Sequence, residues 1–263
     1  MLSSKENKKP SQIERFFTTV YEISVFALQY FRFLFSAPFE IRETIYQCYK
    51  IGVKALPIIS VTGFIIGLVF TKQSRLPLTD LGATALLPSL VGLGIIKALG
   101  PLVTSLICAG KIGSAIGAEL GSMKVTEQID AIEMAGVNAF KYLTQTRILA
   151  CTLMIPLLTF YMSFMALLGA FVDVNLSEAT SFVSFFQGAL VRLNFFDIAA
   201  SCTRGILYGF TIGFLSCYYG FSVTGGTEVV GRAANLSVVT SMFLIFIEEV
   251  FIVQLLNSVL KNG

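Results

Sequence analysis

Five stretches of the chain are long, apolar and almost free of charged residues. They cover residues 55–71, 81–110 with Lys97 as the sole interruption, 148–172, 205–227 and 233–247, the last continuing past Glu248 and Glu249. A helix crosses the hydrocarbon core of a bilayer with about 20 residues. The chain is therefore predicted to be an all-α membrane protein with five transmembrane helices. Their approximate bounds are 51–71, 81–110, 147–172, 203–223 and 235–258.

Composition agrees with a chain that lies mostly in lipid. Of 263 residues, 55% are hydrophobic and 13% are charged, whereas soluble domains carry about 25% charged residues. The chain has no histidine, which excludes Ser-His-Asp and Cys-His catalysis and histidine-ligated metals. The net charge of +3 is small and scattered, so no nucleic-acid partner is expected.

The N-terminal region differs from the apolar stretches. Residues 1–12 are predicted to be a disordered cytoplasmic tail, and 13–37 an amphipathic helix that lies in the membrane interface. A sixth span is the alternative, because residues 23–31 are nearly free of charge. Ala37-Pro38 should end this helix.

Basic residues near the span ends predict the orientation. Most of them fall on one side if the N-terminus is cytoplasmic, and five spans then place the C-terminus on the outer side. Residues 173–197 become an outer loop, in which 177–193 are amphipathic.

The predicted loop 111–146 carries the most distinctive pattern. Gly113, Gly117 and Gly121 recur every four residues and would form a smooth helix face for close packing. Next comes a short amphipathic helix with an acidic side, which Gly136 is placed to terminate. This helix is either a solvated connector or a lever that docks into another protein.

These residues carry a family resemblance. The chain reads AGKIGSAIGAELGSMKVTEQIDAIEMAGVNAFKYL over residues 109–143, which resembles the signature loop of the MlaE/YrbE permeases, membrane subunits of lipid-moving ABC transporters. Glu127-Gln128-Ile129-Asp130-Ala131 is similar to the family's Glu-Glu-x-Asp-Ala. Leu99-Gly100-Pro101 matches its Leu-Gly-Pro, and residues 218–239 resemble its Tyr-Gly, Gly-Gly and Val-Gly-x-Ala segment. The resemblance covers roughly residues 15–258, a single permease domain within 13–263.

The resemblance implies an assembly. It comprises a homodimer of this chain, two cytoplasmic ABC ATPase subunits and a periplasmic Mce/MlaD-type lipid-binding protein, with phospholipid as cargo in a Gram-negative inner membrane or, alternatively, a plastid envelope. No cofactor is expected in this chain, because it lacks the GxxxxGK[ST] phosphate loop. ATP and magnesium would be bound by the ATPase. The direction of transport and the lipid species stay open.

Two groups of candidate site residues follow. The ATPase-coupling group is Glu119, Lys124, Glu127, Gln128, Asp130 and Glu133. The substrate-cavity group is Lys97, Leu99, Phe64, Leu68, Phe243, Phe246 and Glu249.

Several of these charges have alternative roles. Glu119 could instead pair with Lys111 or Lys124, and Lys97 with Glu248 or Glu249. Arg204 is predicted to be an interfacial anchor. Many relatives carry Arg-Glu where this chain has Lys97-Ala98, so the carboxylate at that point is absent.

Two competing functions remain. A standalone secondary transporter or channel would use Glu248 and Glu249 for ion coupling, but it leaves the acidic loop unexplained. A lipid-modifying enzyme is disfavoured by the missing histidine and the lack of clustered carboxylates in the spans.

Overall fold

The structure is a computed structural model that describes residues 12–34 and 40–262. Most of the predicted tail 1–12 and the predicted break at Ala37-Pro38 lie outside the described residues. Throughout the described ranges the regular structure is helical, with no strand. Its contacts divide the chain into two units, residues 1–39 and 40–263.

The first unit contains one described helix, α1 (Gln12–Leu34). Within the described residues, five other helical segments are long and apolar enough to cross a membrane, and α1 is not among them. The prediction of five spans preceded by a separate amphipathic helix is therefore confirmed, and the sixth span is not found.

The second unit holds the five spans. The first is α2 (Ile41–Asp80). The second span, Thr84–Val125, joins α3 (Leu87–Gly94), α4 (Gly100–Cys108) and α5 (Ser114–Val125) through π-helical turns at Ile95–Leu99 and Ala109–Gly113. The short α6 (Gln128–Met134) follows. The third span is a π-helical turn at Lys141–Gln145 continued by α7 (Thr146–Glu178). Then come α8 (Phe182–Leu190), α9 (Phe195–Phe221) and α10 (Thr227–Asn262).

The helices extend well beyond the predicted spans. Helix α2 has 40 residues, about 60 Å at 1.5 Å per residue, against a hydrocarbon core of about 30 Å. The second span likewise continues to Val125, so only residues 126–140 of the predicted loop 111–146 lie between spans two and three. Charged residues ended the predicted spans, but a helix need not end where it leaves the hydrocarbon.

Consecutive spans run in opposite directions, so α6 and α8 lie at opposite ends of the bundle. We call these the α6 end and the α8 end. Helix α2 packs mainly along α7, whereas α10 packs along α9 and the second span.

Close backbone approach fixes the α2–α7 contact. A Cβ atom at Gly67 would lie 1.8 Å from the Ala166 carbonyl oxygen, and one at Gly169 would lie 2.1 Å from the Phe64 carbonyl oxygen. No side chain fits either position. This is how helices pack closely in lipid, where no hydrophobic driving force holds them together.

At the α8 end, α8 is part of the core. Its Phe185 and Ala189 are fully buried in a cluster with Leu87, Val91 and Ala170, while Phe182 and Val183 stay exposed. The predicted amphipathic segment 177–193 is therefore divided: α7 continues to Glu178, and α8 packs one face onto the second span.

Candidate functional site

The second span changes geometry at Lys97. This residue lies in the π-helical turn Ile95–Leu99, four residues before Pro101. In a regular α-helix the carbonyl of residue 97 would accept from the N–H of residue 101, but proline has none. Arg204 of α9 donates to the Lys97 carbonyl instead. The proline of the Leu-Gly-Pro motif thus leaves the Lys97 carbonyl without its α-helical donor, and the guanidinium of Arg204 from another span donates to this carbonyl.

The Lys97 side chain is held by the start of α9. Its Nζ lies 2.7 Å from Oδ1 of Asp197. Asp197 in turn accepts from the Asn194 backbone N–H at 3.1 Å, in a reciprocal capping box that begins α9. Asp197 is buried, whereas 44% of the Lys97 side chain is exposed. The ammonium is therefore fixed in position on an accessible surface.

A second ion pair lies beside the first. Arg204 Nη1 is 3.1 Å from Glu249 Oε1, and their side chains are 7% and 17% exposed. Tyr208 also donates to Glu249, and Thr211 donates to Glu248. We call Lys97, Asp197, Arg204 and Glu249 the charged cluster; it joins spans two, four and five. Throughout the described part of the chain, no group of three Cys, Asp or Glu side chains is placed to hold a metal ion.

The alternative pairing offered for Lys97 and the predicted role of Arg204 are wrong. The partner of Lys97 is Asp197, not Glu248 or Glu249. Arg204 is not an interfacial anchor, because it is buried and bound to Glu249 and the Lys97 carbonyl.

The apolar residues predicted to line the cavity lie on two separate helices. Half-buried Phe64 and Leu68 belong to α2, and exposed Phe243 and Phe246 to α10. These helices pack mainly on different neighbours. Glu249 lies one turn after Phe246 and turns inward to the charged cluster, and half-buried Leu99 ends the turn that carries Lys97. One chain alone brings Lys97 near Glu249 but does not bring Phe64 near Phe243.

The α6 surface carries most of the predicted coupling group. Ile129 is buried, whereas Glu127, Gln128, Asp130 and Glu133 are exposed. Gly136 has φ +80° and its N–H donates to the Glu133 carbonyl at 2.9 Å, so it terminates α6 as predicted. The helix therefore presents an acidic face to solvent and an apolar face to the bundle.

The turn into α6 is strained. Glu127 has φ 56°, in the left-handed region, which residues other than glycine seldom adopt. Lys124 lies 3.1 Å from Asp130 across this turn. Only two residues, Thr126 and Glu127, separate the end of the second span from α6, so the position of α6 is closely tied to the end of that span.

Glu119 is not part of this surface. Its carboxylate lies 2.6 Å from Lys50 Nζ and 2.8 Å from Arg147 Nη2, so the predicted partners Lys111 and Lys124 are wrong. Glu119 instead joins the first, second and third spans at the α6 end.

The glycine face of the second span packs against other helices of the same chain. A Cβ atom at Gly117 would lie 3.4 Å from Ala234 Cα of α10 and 3.7 Å from the Ser216 carbonyl of α9. The predicted small-residue packing is thus present, and its partners are spans four and five.

Some residues of the site are not predicted from the sequence. Asp197 fits the spacing of a capping box with Asn194, which predicts its place at the start of a helix. Nothing in that spacing indicates Lys97 as its partner. Lys50 and Arg147 gave no signal beyond their positive charge.

Comparison with known proteins is specific. The family model described as Permease MlaE matches residues 44–255. A probable ABC transporter permease protein of Synechocystis sp. is 32% identical over 211 residues, 80% of each chain. One from Rickettsia bellii is 28% identical over 263 residues, 98% of this chain and all of the relative. The chloroplastic Arabidopsis thaliana protein TRIGALACTOSYLDIACYLGLYCEROL 1 is 33% identical over 79% of this chain and 59% of its own length.

Proposed function

The chain belongs to the MlaE permease family and is a multi-pass transporter permease, and from this premise we propose that its cargo is phospholipid. The transport runs between the inner and outer membranes of a Gram-negative bacterium. The chain acts as a homodimer with two cytoplasmic ABC ATPase subunits, which bind ATP and magnesium, and a periplasmic Mce/MlaD-type protein. Its N-terminus and α6 end are cytoplasmic, and its C-terminus is periplasmic.

The observation that carries the lipid proposal is the position of Lys97. Its side chain is partly exposed, it is the sole charged residue of the stretch 81–110, and buried Asp197 anchors its ammonium at 2.7 Å. A charge at membrane depth costs at least ~2.5 kcal/mol on insertion scales, and such residues mark substrate pathways. A phosphate group is the natural ligand of this ammonium. The name of the Arabidopsis relative refers to trigalactosyldiacylglycerol, a glycolipid, which supports a lipid cargo.

A second copy of the chain would complete the path. The exposed apolar residues of α10 recur with heptad spacing at Val239, Phe243, Phe246 and Val250. This stripe adjoins the charged cluster through Glu249. Two stripes facing each other across a two-fold axis would enclose an apolar space for acyl chains, with Lys97 at its edge.

The ATPase subunits would transmit the free energy of ATP hydrolysis to this chain through their contact with α6. The chain has no phosphate loop, so ATP hydrolysis belongs to a partner. The exposed carboxylates of Glu127, Asp130 and Glu133 suit charge-assisted hydrogen bonds to a basic groove of an ATPase. The tight turn at Glu127 would pass displacement of α6 to the second span, which carries Lys97.

The test is purification of the native assembly through a tag on this chain, followed by mass spectrometry of bound lipid and by an ATP-dependent lipid-transfer assay. Lys97→Gln should reduce bound phospholipid and transfer about tenfold, with the assembly intact. Lys97→Arg should retain both, and Lys72→Gln, an exposed control on α2, should match the wild type. An assembly without phospholipid, or a Lys97→Gln variant that transfers normally, would refute the proposal.

The secondary-transporter alternative rests on Glu248 and Glu249. Both are engaged within the chain, Glu249 by Arg204 and Tyr208, and Glu248 by Thr211. We therefore favour the ATP-driven permease. A chain that is stable, transports lipid or ions and co-purifies with no ATPase would reverse this choice.

A further inference from the structure

A small basic cavity lies between α2 and the second span at the α6 end. It has a volume of about 110 Å³, and its lining includes Lys50, Lys54, Lys111 and Glu119. The rest of its wall is mainly apolar, with Ile51, Ile112 and Ile116. This volume exceeds that of several water molecules at ~30 Å³ each, so a phosphate group fits.

The charges of the cavity are not balanced. Its carboxylate, Glu119, is already shared between Lys50 at 2.6 Å and Arg147 at 2.8 Å. Lys54 and Lys111 are exposed and, among the described residues, have no carboxylate within 4.0 Å. Lys54 and Lys111, which belong to different helices, therefore line one cavity and have no counter-ion among the described residues.

The position of the cavity matches the level of lipid headgroups. Lys54 immediately precedes the charge-free stretch 55–71, and Lys111 immediately follows the stretch 98–110. Both ammonium groups therefore lie where the apolar part of their span ends. Basic pockets between transmembrane helices at this level bind anionic lipid headgroups.

We propose that this cavity binds the phosphate group of an anionic phospholipid from the leaflet at the α6 end. Lys54 and Lys111 contact the phosphate oxygens, and the isoleucines contact the start of the acyl chains. The site is distinct from the charged cluster, because Lys97 and Lys111 are 14 residues apart on the second span, or about 21 Å. The inference does not rest on transport, since a permanently bound lipid would occupy the site in an idle protein.

The experiment uses the full chain with its co-purifying partners in nanodiscs of neutral phosphatidylcholine. Phosphatidylglycerol is titrated in, and the molecules retained per chain are counted by native mass spectrometry. The double variant Lys54→Gln/Lys111→Gln is compared with Lys72→Gln/Arg192→Gln, which removes the same charge from exposed positions elsewhere on the chain. In a second arm, inorganic phosphate is added against chloride at equal ionic strength.

The cavity variant should retain phosphatidylglycerol about tenfold less well than the wild type. The control variant should retain it normally, and Lys54→Arg/Lys111→Arg should restore retention, which excludes misfolding as the cause. Equal loss in both glutamine variants would overturn the proposal, because retention would then follow net charge. Full displacement by inorganic phosphate would overturn the lipid assignment and identify the free anion as the ligand.

Discussion

The ion pair of Arg204 and Glu249 allows a quantitative test of the charged cluster. Arg204→Gln removes one ion pair at 3.1 Å and the hydrogen bond to the Lys97 carbonyl, and it leaves a carboxylate that is 17% exposed without its cation. Glu249→Gln leaves a guanidinium that is 7% exposed without its anion. Both single variants therefore bury an uncompensated charge.

The magnitudes follow from this burial. Breaking a buried ion pair by removing one partner costs about 3–5 kcal/mol. The double variant Arg204→Gln/Glu249→Gln buries no unpaired charge and loses only hydrogen bonds, each worth about 1 kcal/mol. We therefore expect the double variant to lose about 2–3 kcal/mol, which is no more than either single variant loses.

Buried thiols provide the assay. Cys108, Cys151 and Cys217 are buried, so a maleimide dye reaches them only when the bundle opens on heating. Replacing half-buried Cys48 and Cys202 by serine removes the background. The control Arg192→Gln changes an exposed arginine and should leave the midpoint unchanged.

One outcome would refute this reasoning. If the double variant is destabilised by the sum of the two single losses, the two charges do not interact across α9 and α10. The geometry of the charged cluster would then be wrong.

Three further predictions use the same unfolding assay. Gly67→Ala should lower the free energy of unfolding by at least about 1–3 kcal/mol, because the added Cβ would lie 1.8 Å from a backbone carbonyl of α7. The control Gly231→Ala should be tolerated, because a Cβ there has no atom within 4 Å. Equal unfolding midpoints for the two variants would contradict the close helix contact. Glu127→Gly should raise the free energy of unfolding by about 1 kcal/mol, because glycine adopts φ 56° without strain. The control Glu133→Gly, inside α6, should lower it by about as much. A lower stability of both variants would exclude the strained turn. Glu119→Gln should destabilise by about 1–3 kcal/mol, as it unpairs two cations of neighbouring spans; an unchanged midpoint would place that carboxylate outside the stabilising contacts.

The number of spans could be predicted from the sequence, but their ends could not. Charge-free stretches report where a helix lies in hydrocarbon. They do not report how far it continues into the interface, and α2 extends ten residues before the predicted start at 51 and nine beyond the predicted end at 71. The acidic face of α6 was predictable because it is a local pattern of seven residues.

The pairing of charges could not be predicted. Periodicity within one helix shows which residues share a face but not which helix that face meets. Pairing on the fifth span is the alternative role that the sequence offers for Lys97, whereas the residue pairs with Asp197 at the start of the fourth span. Pro101 gave a local signal of a missing backbone donor, yet the group that replaces it, Arg204, lies 107 residues from Lys97 in sequence.

The distance in sequence between Lys97 and its partner Asp197 has a consequence for synthesis of the chain in the cell. Asp197 follows Lys97 by 100 residues, and ribosomes add about 5–20 residues per second, so Asp197 emerges roughly 5–20 s after Lys97. The second span therefore meets the translocon as a lysine-bearing segment without its counter-ion. Its insertion depends on its own apolar residues, whose best window has a mean hydropathy of 1.9. The second span therefore either stays at the edge of the lipid or inserts with the free-energy cost of an unpaired lysine, until the fourth span supplies Asp197 as the counter-ion.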